Sequence, residues 1–265
     1  MLNLMTPEKN DMITERLDTV HADLVELRPK KELYIFSKPL PENTSVLMGF
    51  PGSGLVGTIA LQYMVDQMEF ELIGTMTSKY FPPLAMMNKG VINEPVRIYL
   101  KGDISVIVAD IPIHPMICYE VTNGILDWLV PYKPKEVLTI AGIITNELEK
   151  RVFGVATTTD ALPRIQDITL ILPIGSISGI ASSLLTECKA RGIPAYGLLG
   201  ETVNAPDPRA SAATIEVINK MYNLTLDVKP LIEQAVEIEQ SMGKIAEEVQ
   251  QSAETSPKKD LPMYG

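Results

Sequence analysis

The chain's densest cluster of residues with chemical potential is Met48-Gly49-Phe50-Pro51-Gly52-Ser53-Gly54-Leu55-Val56-Gly57, which follows a strand pattern and opens a helical one. Gly52, Gly54 and Gly57 have the GxGxxG spacing that brings backbone N–H groups and a helix N-terminus up to a pyrophosphate. Gly49 and Gly54 also have Walker A spacing, but Leu55 and Val56 stand where lysine and a hydroxyl residue should gather phosphate and magnesium. A dinucleotide site needs an acid at the end of the second strand to hold the ribose. Here that strand, Phe70–Ser78, has Glu71 as its only acid, at its beginning. The better reading is a tight strand-to-helix turn in which glycine permits close packing. A second turn, Gly175-Ser176-Ile177-Ser178-Gly179, also links a strand to a helix. Two such turns at strand ends can form an anion pocket, although no basic residue stands near them in sequence.

A hydrolase requires a nucleophile with its base, a metal, or paired carboxylates. The chain has two histidines, His21 in a polar arm and His114 just after a strand pattern. His114 reads better as a hydrogen-bonded loop residue than as a general base, because no GxSxG nucleophile elbow accompanies it and Ser53 lacks that spacing. Cys118, four residues beyond His114, forms at most a weak Cys–His candidate. Asp110, Asp160 and Glu201 lie near strand ends without a spacing that pairs them. Cys118 and Cys188 show no CxxC motif and have too few companions for zinc. The expectation is a protein with no catalytic, cofactor or metal site. The competing expectation is a nucleoside phosphorylase- or hydrolase-like enzyme working through the two glycine–serine turns.

The elements that would position these residues alternate. Strand patterns run over 33–37, 45–50, 70–77, 96–100, 104–111, 136–143, 152–158, 168–174 and 195–199. Helical patterns run over 55–68, 119–130, 178–191, 209–222 and 229–251. Such alternation predicts an α/β fold, a sheet with helices packed on its faces. Only Lys101-Gly102-Asp103 separates the runs at 96–100 and 104–111, and a loop that short joins antiparallel strands, so the sheet is expected to be mixed.

The 265 residues are 46% hydrophobic, enough for a substantial core, with Ile, Val, Leu and Met in place of the scarce aromatics. A net charge of −10 and a pI near 4.8 repel phosphate backbones and anionic lipid, so neither nucleic acid nor membrane is an expected partner. The same charge suits a basic socket. Charges throughout the first thirty residues argue against a signal peptide, and the apolar runs are too short to span a bilayer. With two reduced thiols, a cytoplasmic location is expected.

Four segments are expected: a polar, weakly patterned arm over 1–31 with one short helix candidate, an α/β domain over 32–226, a helix over 227–251, and a flexible tail over 252–265. Along the helix Leu231, Ala235, Ile238, Met242, Ile245 and Val249 recur at steps of four and three, a heptad seam. Such a stripe either rests on its own domain or pairs with another helix. After Gln251 a polar tether leads to Leu261-Pro262-Met263-Tyr264-Gly265, whose apolar tip has no core to complete.

The chain resembles the proteasome assembly chaperone family in its archaeal branch. The resemblance rests on four stretches: Gly49–Gly57, Val152-Phe-Gly-Val-Ala-Thr-Thr158, Pro173-Ile-Gly-Ser-Ile-Ser-Gly179, and the helix start Pro206-Asp-Pro-Arg-Ala-Ser-Ala212. It covers about residues 33–225. The resemblance implies a three-layer αβα domain with a phosphorylase/hydrolase-like fold but no such active site. It also implies homo-oligomers and an ATP-independent role in assembling or binding the proteasome core particle. Met263-Tyr264-Gly265 resembles the hydrophobic–tyrosine–any-residue tail of proteasome activators and chaperones. By that resemblance the Gly265 carboxylate would pair with a lysine in a pocket of the α-subunit ring, with Tyr264 on the pocket wall and Met263 in its mouth.

Overall fold

A computed structural model describes residues 33–236, apart from 89, 146, 148 and 204. Among these residues eleven strands are formed: β1 (Leu33–Ser37), β2 (Ser45–Gly49), β3 (Glu71–Ser78), β4 (Met86–Asn88), β5 (Val91–Asn93), β6 (Val96–Lys101), β7 (Ile104–Ala109), β8 (Glu136–Ile144), β9 (Val152–Ala156), β10 (Leu170–Ile171) and β11 (Ala195–Thr202). The main helices are α1 (Val56–Gln67), α2 (Cys118–Leu129), α3 (Gly179–Ala190) and α4 (Pro208–Tyr222). Residues 229–236 are also helical. None of the described helices is long and apolar enough to cross a membrane.

Among the described residues, nine strands form one sheet in the order β1-β3-β6-β7-β2-β8-β11-β9-β10. The centre is parallel, β2 lying between β7 and β8, and β11 beyond β8. The flanks carry antiparallel pairs: β1 with β3, β3 with β6, β6 with β7, and β9 with β11. The mixed sheet expected from the three-residue loop at 101–103 is present as the β6–β7 hairpin, in which Lys101 faces Ile104.

The central strands are buried on both faces. All five residues of β2, all six of β7 and all eight of β11 are buried, which fits their mostly apolar sequences. On one face α2 and α3 pack through Val121, Ile125, Ile180 and Leu184 onto Val46, Met48, Ile98 and Ile107. On the other, α1 and α4 pack through Leu61, Met64, Val217 and Ile218 onto Leu47, Val106, Leu138 and Leu198. Each fully buried aliphatic side chain contributes about 1.5–3 kcal/mol relative to exposure. The result is the expected three-layer αβα arrangement, extended by the helix at 229–236.

Two elements differ from the sequence reading. The apolar run 168–174 forms only the two-residue β10, because Thr169 is drawn into the preceding turn by bonding to the carbonyl of Ile165. The β4–β5 hairpin had no strand pattern long enough to announce it.

Candidate functional site

The turn after β2 is built by close backbone approach. A Cβ on Gly49 would sit 2.4 Å from the Gly57 carbonyl oxygen, and one on Gly57 would sit 2.7 Å from that of Ile140. Strand β2, helix α1 and strand β8 therefore meet backbone to backbone. Gly54 and Leu55 are both left-handed, with φ of 65° and 51°, and together they swing the chain from a short 3-10 turn into α1. Gly49, Gly54 and Gly57 thus serve close packing, as the tight-turn reading expected.

Tertiary structure brings the second glycine–serine turn to the same place. Gly52 and Ser53 share a cleft of about 250 Å³ with Ser176–Ala181, Ile113 and the β8 residues Ile140–Ile143. This cleft lies at the carboxyl ends of the parallel strands, where open α/β sheets commonly hold ligands. Its walls are apolar side chains, serine hydroxyls and backbone; among its described lining residues none titrates. Acid–base, nucleophilic-cysteine and metal chemistry need groups that the described lining residues do not include.

The remaining singled-out residues are engaged in holding the fold. Exposed His114 accepts the Met116 amide on Nδ1 at 3.3 Å and caps a 3-10 turn. The Cys118 thiol points to the carbonyls of Ile113 and His114, not to the imidazole, and burial pushes its pKa up, so the Cys–His pair is not made. Burial likewise raises the Cys188 thiol, to about 12. Asp110 pairs with Arg97, whose Nη2 also reaches Gln62 at 3.0 Å. Asp160 is exposed in the turn after β9. Glu201 is fully buried and accepts Arg151 Nε at 2.7 Å and Nη2 at 2.8 Å. Those bonds hold its carboxyl below the usual range. No group of three or more metal-ligating side chains is present among the described residues.

Sequence reasoning missed Asp207. Its Oδ1 accepts the Ala210 amide at 3.0 Å, capping α4, while Oδ2 meets Lys150 Nζ at 3.0 Å and Thr202 Oγ1 at 3.1 Å. Burial opposes its ionisation, but the Ala210 amide, Lys150 and Thr202 outweigh that and keep its carboxyl below the ordinary value. The signal was legible as an Asp-Pro helix start.

Two of the six seam residues are described. Leu231 and Ala235 are buried within the chain, and Leu231 packs with Ala60, Ala212 and Ile215. The Leu231 side chain is therefore occupied by the chain's own α1 and α4. Ile238, Met242, Ile245 and Val249, and the tail residues Met263, Tyr264 and Gly265, lie outside the described residues.

Fold and cleft together define a three-layer α/β domain whose strand-end cleft presents shape and hydroxyls rather than ionisable groups. The chain belongs to the PAC2 family, whose model matches residues 46–246. It is 34% identical over 228 residues to the uncharacterized protein MJ0106 of Methanocaldococcus jannaschii, covering 84% of this chain and 93% of that one. The crystal structure of PbaA from Pyrococcus furiosus, described as an archaeal homolog of proteasome-assembly chaperone, matches with 32% identity and a TM-score of 0.77. That match covers 84% of this chain and 95% of PbaA. PbaB of the same organism, described as an archaeal proteasome activator, shares the fold at 24% identity and a TM-score of 0.74, over 82% of this chain and all of PbaB.

Proposed function

We propose that this chain is an ATP-independent proteasome assembly chaperone or core-particle-binding factor, not an enzyme, that docks through Met263, Tyr264 and Gly265. The observation that carries the reading is the match to PbaA at 32% identity across most of both chains. A strand-end cleft without a titratable group among its described lining residues agrees with a binding role.

The tail supplies the physical means. Its free carboxylate pairs with a lysine in a pocket of the core particle's α-subunit ring, and Tyr264 and Met263 bury beside it. Each tail buries little surface and binds weakly. A homo-oligomer presenting several tails to a symmetric ring gains effective concentration, about 10²–10⁴-fold. The seam positions Ile238, Met242, Ile245 and Val249 array the tails. Pull-down of purified core particle by intact protein and by protein lacking 263–265 tests the reading. Truncation is expected to abolish capture with the melting temperature unchanged, and capture that survives truncation would refute tail docking.

The meeting of both glycine–serine turns on one cleft is the observation that favours the enzyme alternative. A thermal-shift screen with nucleosides, nucleotides and phosphate separates the two, since a tight ligand raises the melting temperature by mass action. No shift is expected; a clear one would favour the enzyme.

A further inference from the structure

The β4–β5 hairpin stands apart from the main sheet. It joins β3 to β6, where Thr75 faces Arg97, and β6 begins with Val96 facing Ala109 at the end of β7. Strand β7 runs parallel to β2, so the hairpin leaves the sheet at the carboxyl end of the parallel strands. That end also holds the cleft. Among the described residues the hairpin is a sheet of two strands only. Two strands of three residues are marginal in water unless a face is packed. Here the apolar side chains stay uncovered: the cross-strand partners Met87 and Ile92 are 72% and 59% exposed, and Val91 is 66% exposed. Such a cluster marks a surface that binds.

The cleft has the matching character. Phe50, Ile113, Ile140 and Ile180 build its walls with serine hydroxyls and backbone, and none of its described lining residues titrates. Its volume of about 250 Å³ holds roughly eight groups the size of a water at about 30 Å³ each, as many as the non-hydrogen atoms in the Met87 and Ile92 side chains together. Two apolar side chains flank lining residues in sequence: Met116, just beyond Ile113, is 85% exposed, and Ile174, just before Ser176, is 92% exposed. Within one chain the hairpin does not fill the cleft, since Met87 and Ile92 are exposed and do not line it. Residues 80–93 contain no acid and a single base, Lys89, in a chain of net charge −10. That net charge makes two copies repel, and the repulsion is weakest where neither surface carries acids.

In the order β6-β7-β2-β8 the hairpin and the cleft stand three strand spacings apart, about 14 Å. Half a turn about the sheet normal, at the carboxyl end and midway between them, sets each copy's hairpin against the other's cleft. We propose that two copies of this chain pair in this way, each β4–β5 hairpin seating Met87 and Ile92 in the strand-end cleft of the other. The pairing is isologous, so every contact is made twice. A second copy is the occupant because one chain carries both halves of the contact, uncharged and at the same end of its sheet. The inference specifies one interface of the homo-oligomer and rests on that part of the proposed function, not on tail docking.

Disulfide trapping in the full chain, read on non-reducing gels after mild oxidation, tests this. Met87→Cys/Ser178→Cys is expected to give at least about tenfold more covalent dimer than either single substitution, because a disulfide forms only between Cα atoms within about 7 Å. Met87→Cys/Lys220→Cys, with its second cysteine exposed at the far end of α4, should give no such excess. Cys118 and Cys188 are buried with raised pKa values and do not compete. A double variant that traps no more dimer than the singles overturns the proposal. Equal trapping by Met87→Cys alone also overturns it, because the hairpins would then pair with each other. Should the double variant fail to fold, Met87→Asp/Ile92→Asp decides, since both side chains are exposed in the single chain. Its mass by light scattering is expected to fall about twofold at an unchanged monomer fold, and an unchanged mass refutes the interface. An unaltered chain that is monomeric overturns this inference and the homo-oligomer together, whereas an oligomer that yields no trapped dimer overturns this inference alone.

Discussion

The backbone amide of Asp207 donates to the carbonyl of Gly54 at 2.9 Å. This bond joins the N-cap of α4 to the glycine turn after β2, two segments 153 residues apart in sequence. Thr202 locks the junction from β11, its hydroxyl on Asp207 and its side chain in the space that a Cβ on Gly54 would need. The turn is thus held from outside, and its shape belongs to the tertiary structure.

Gly54→Ala should be strongly destabilising. The position has a φ of 65°, and an added Cβ would lie 1.9 Å from Thr202 Oγ1. Left-handed strain and overpacking together cost about 2–5 kcal/mol. Urea denaturation should show a lower midpoint at an unchanged slope. A midpoint within error of the unaltered protein would mean that Thr202 and the turn are not locked together.

Stability should fall in acid. Arg151 holds the Glu201 carboxyl low, and the contacts of Asp207 outweigh its burial, so both are more acidic folded than unfolded. The unfolded chain then binds protons first as pH drops. The stabilisation is complete above the ordinary carboxylate range, about pH 4–5, and is lost as pH falls through the folded values. Melting temperature measured from pH 7 down to 3 should be flat above about pH 5 and drop below it. Glu201→Gln and Asp207→Asn should each start lower at neutral pH and lose less on acidification.

The start of the C-terminal helix should behave as part of the core. Leu231 is 2% exposed against Ala60, Ala212 and Ile215, so Leu231→Ala should cost about 2–4 kcal/mol by denaturant titration. A negligible loss would show that the helix merely rests on α1 and α4.

Further along, Ile238→Asp/Met242→Asp should lower the mass measured by light scattering if the seam assembles the oligomer. Because Leu231 and Ala235 are already buried within the chain, monomer stability should change little. An unchanged mass would remove the seam from assembly.

Periodicity carried most of the fold because burial imposes it. β2, β7 and β11 are apolar at every position or nearly so, since helices cover both faces, while α2 and α4 show one apolar stripe each. The short loop at 101–103 was enough to reveal a mixed sheet. The β4–β5 hairpin was illegible, because three-residue strands have no period to detect. Asp207 was overlooked for another reason: its role depends on Lys150, Thr202 and Gly54, and one-dimensional spacing does not contain those distances.

By itself the sequence determined most of the segments that become strands and helices, that the sheet is mixed, and that the glycines of 49–57 make a tight turn. Local sterics and the period of apolar residues suffice for that. Only the tertiary structure decided that two distant glycine–serine turns share one cleft and that the buried acids Glu201 and Asp207 are held by Arg151 and Lys150 respectively. Those outcomes follow from strand order and helix placement, which arise from contacts between residues far apart along the chain.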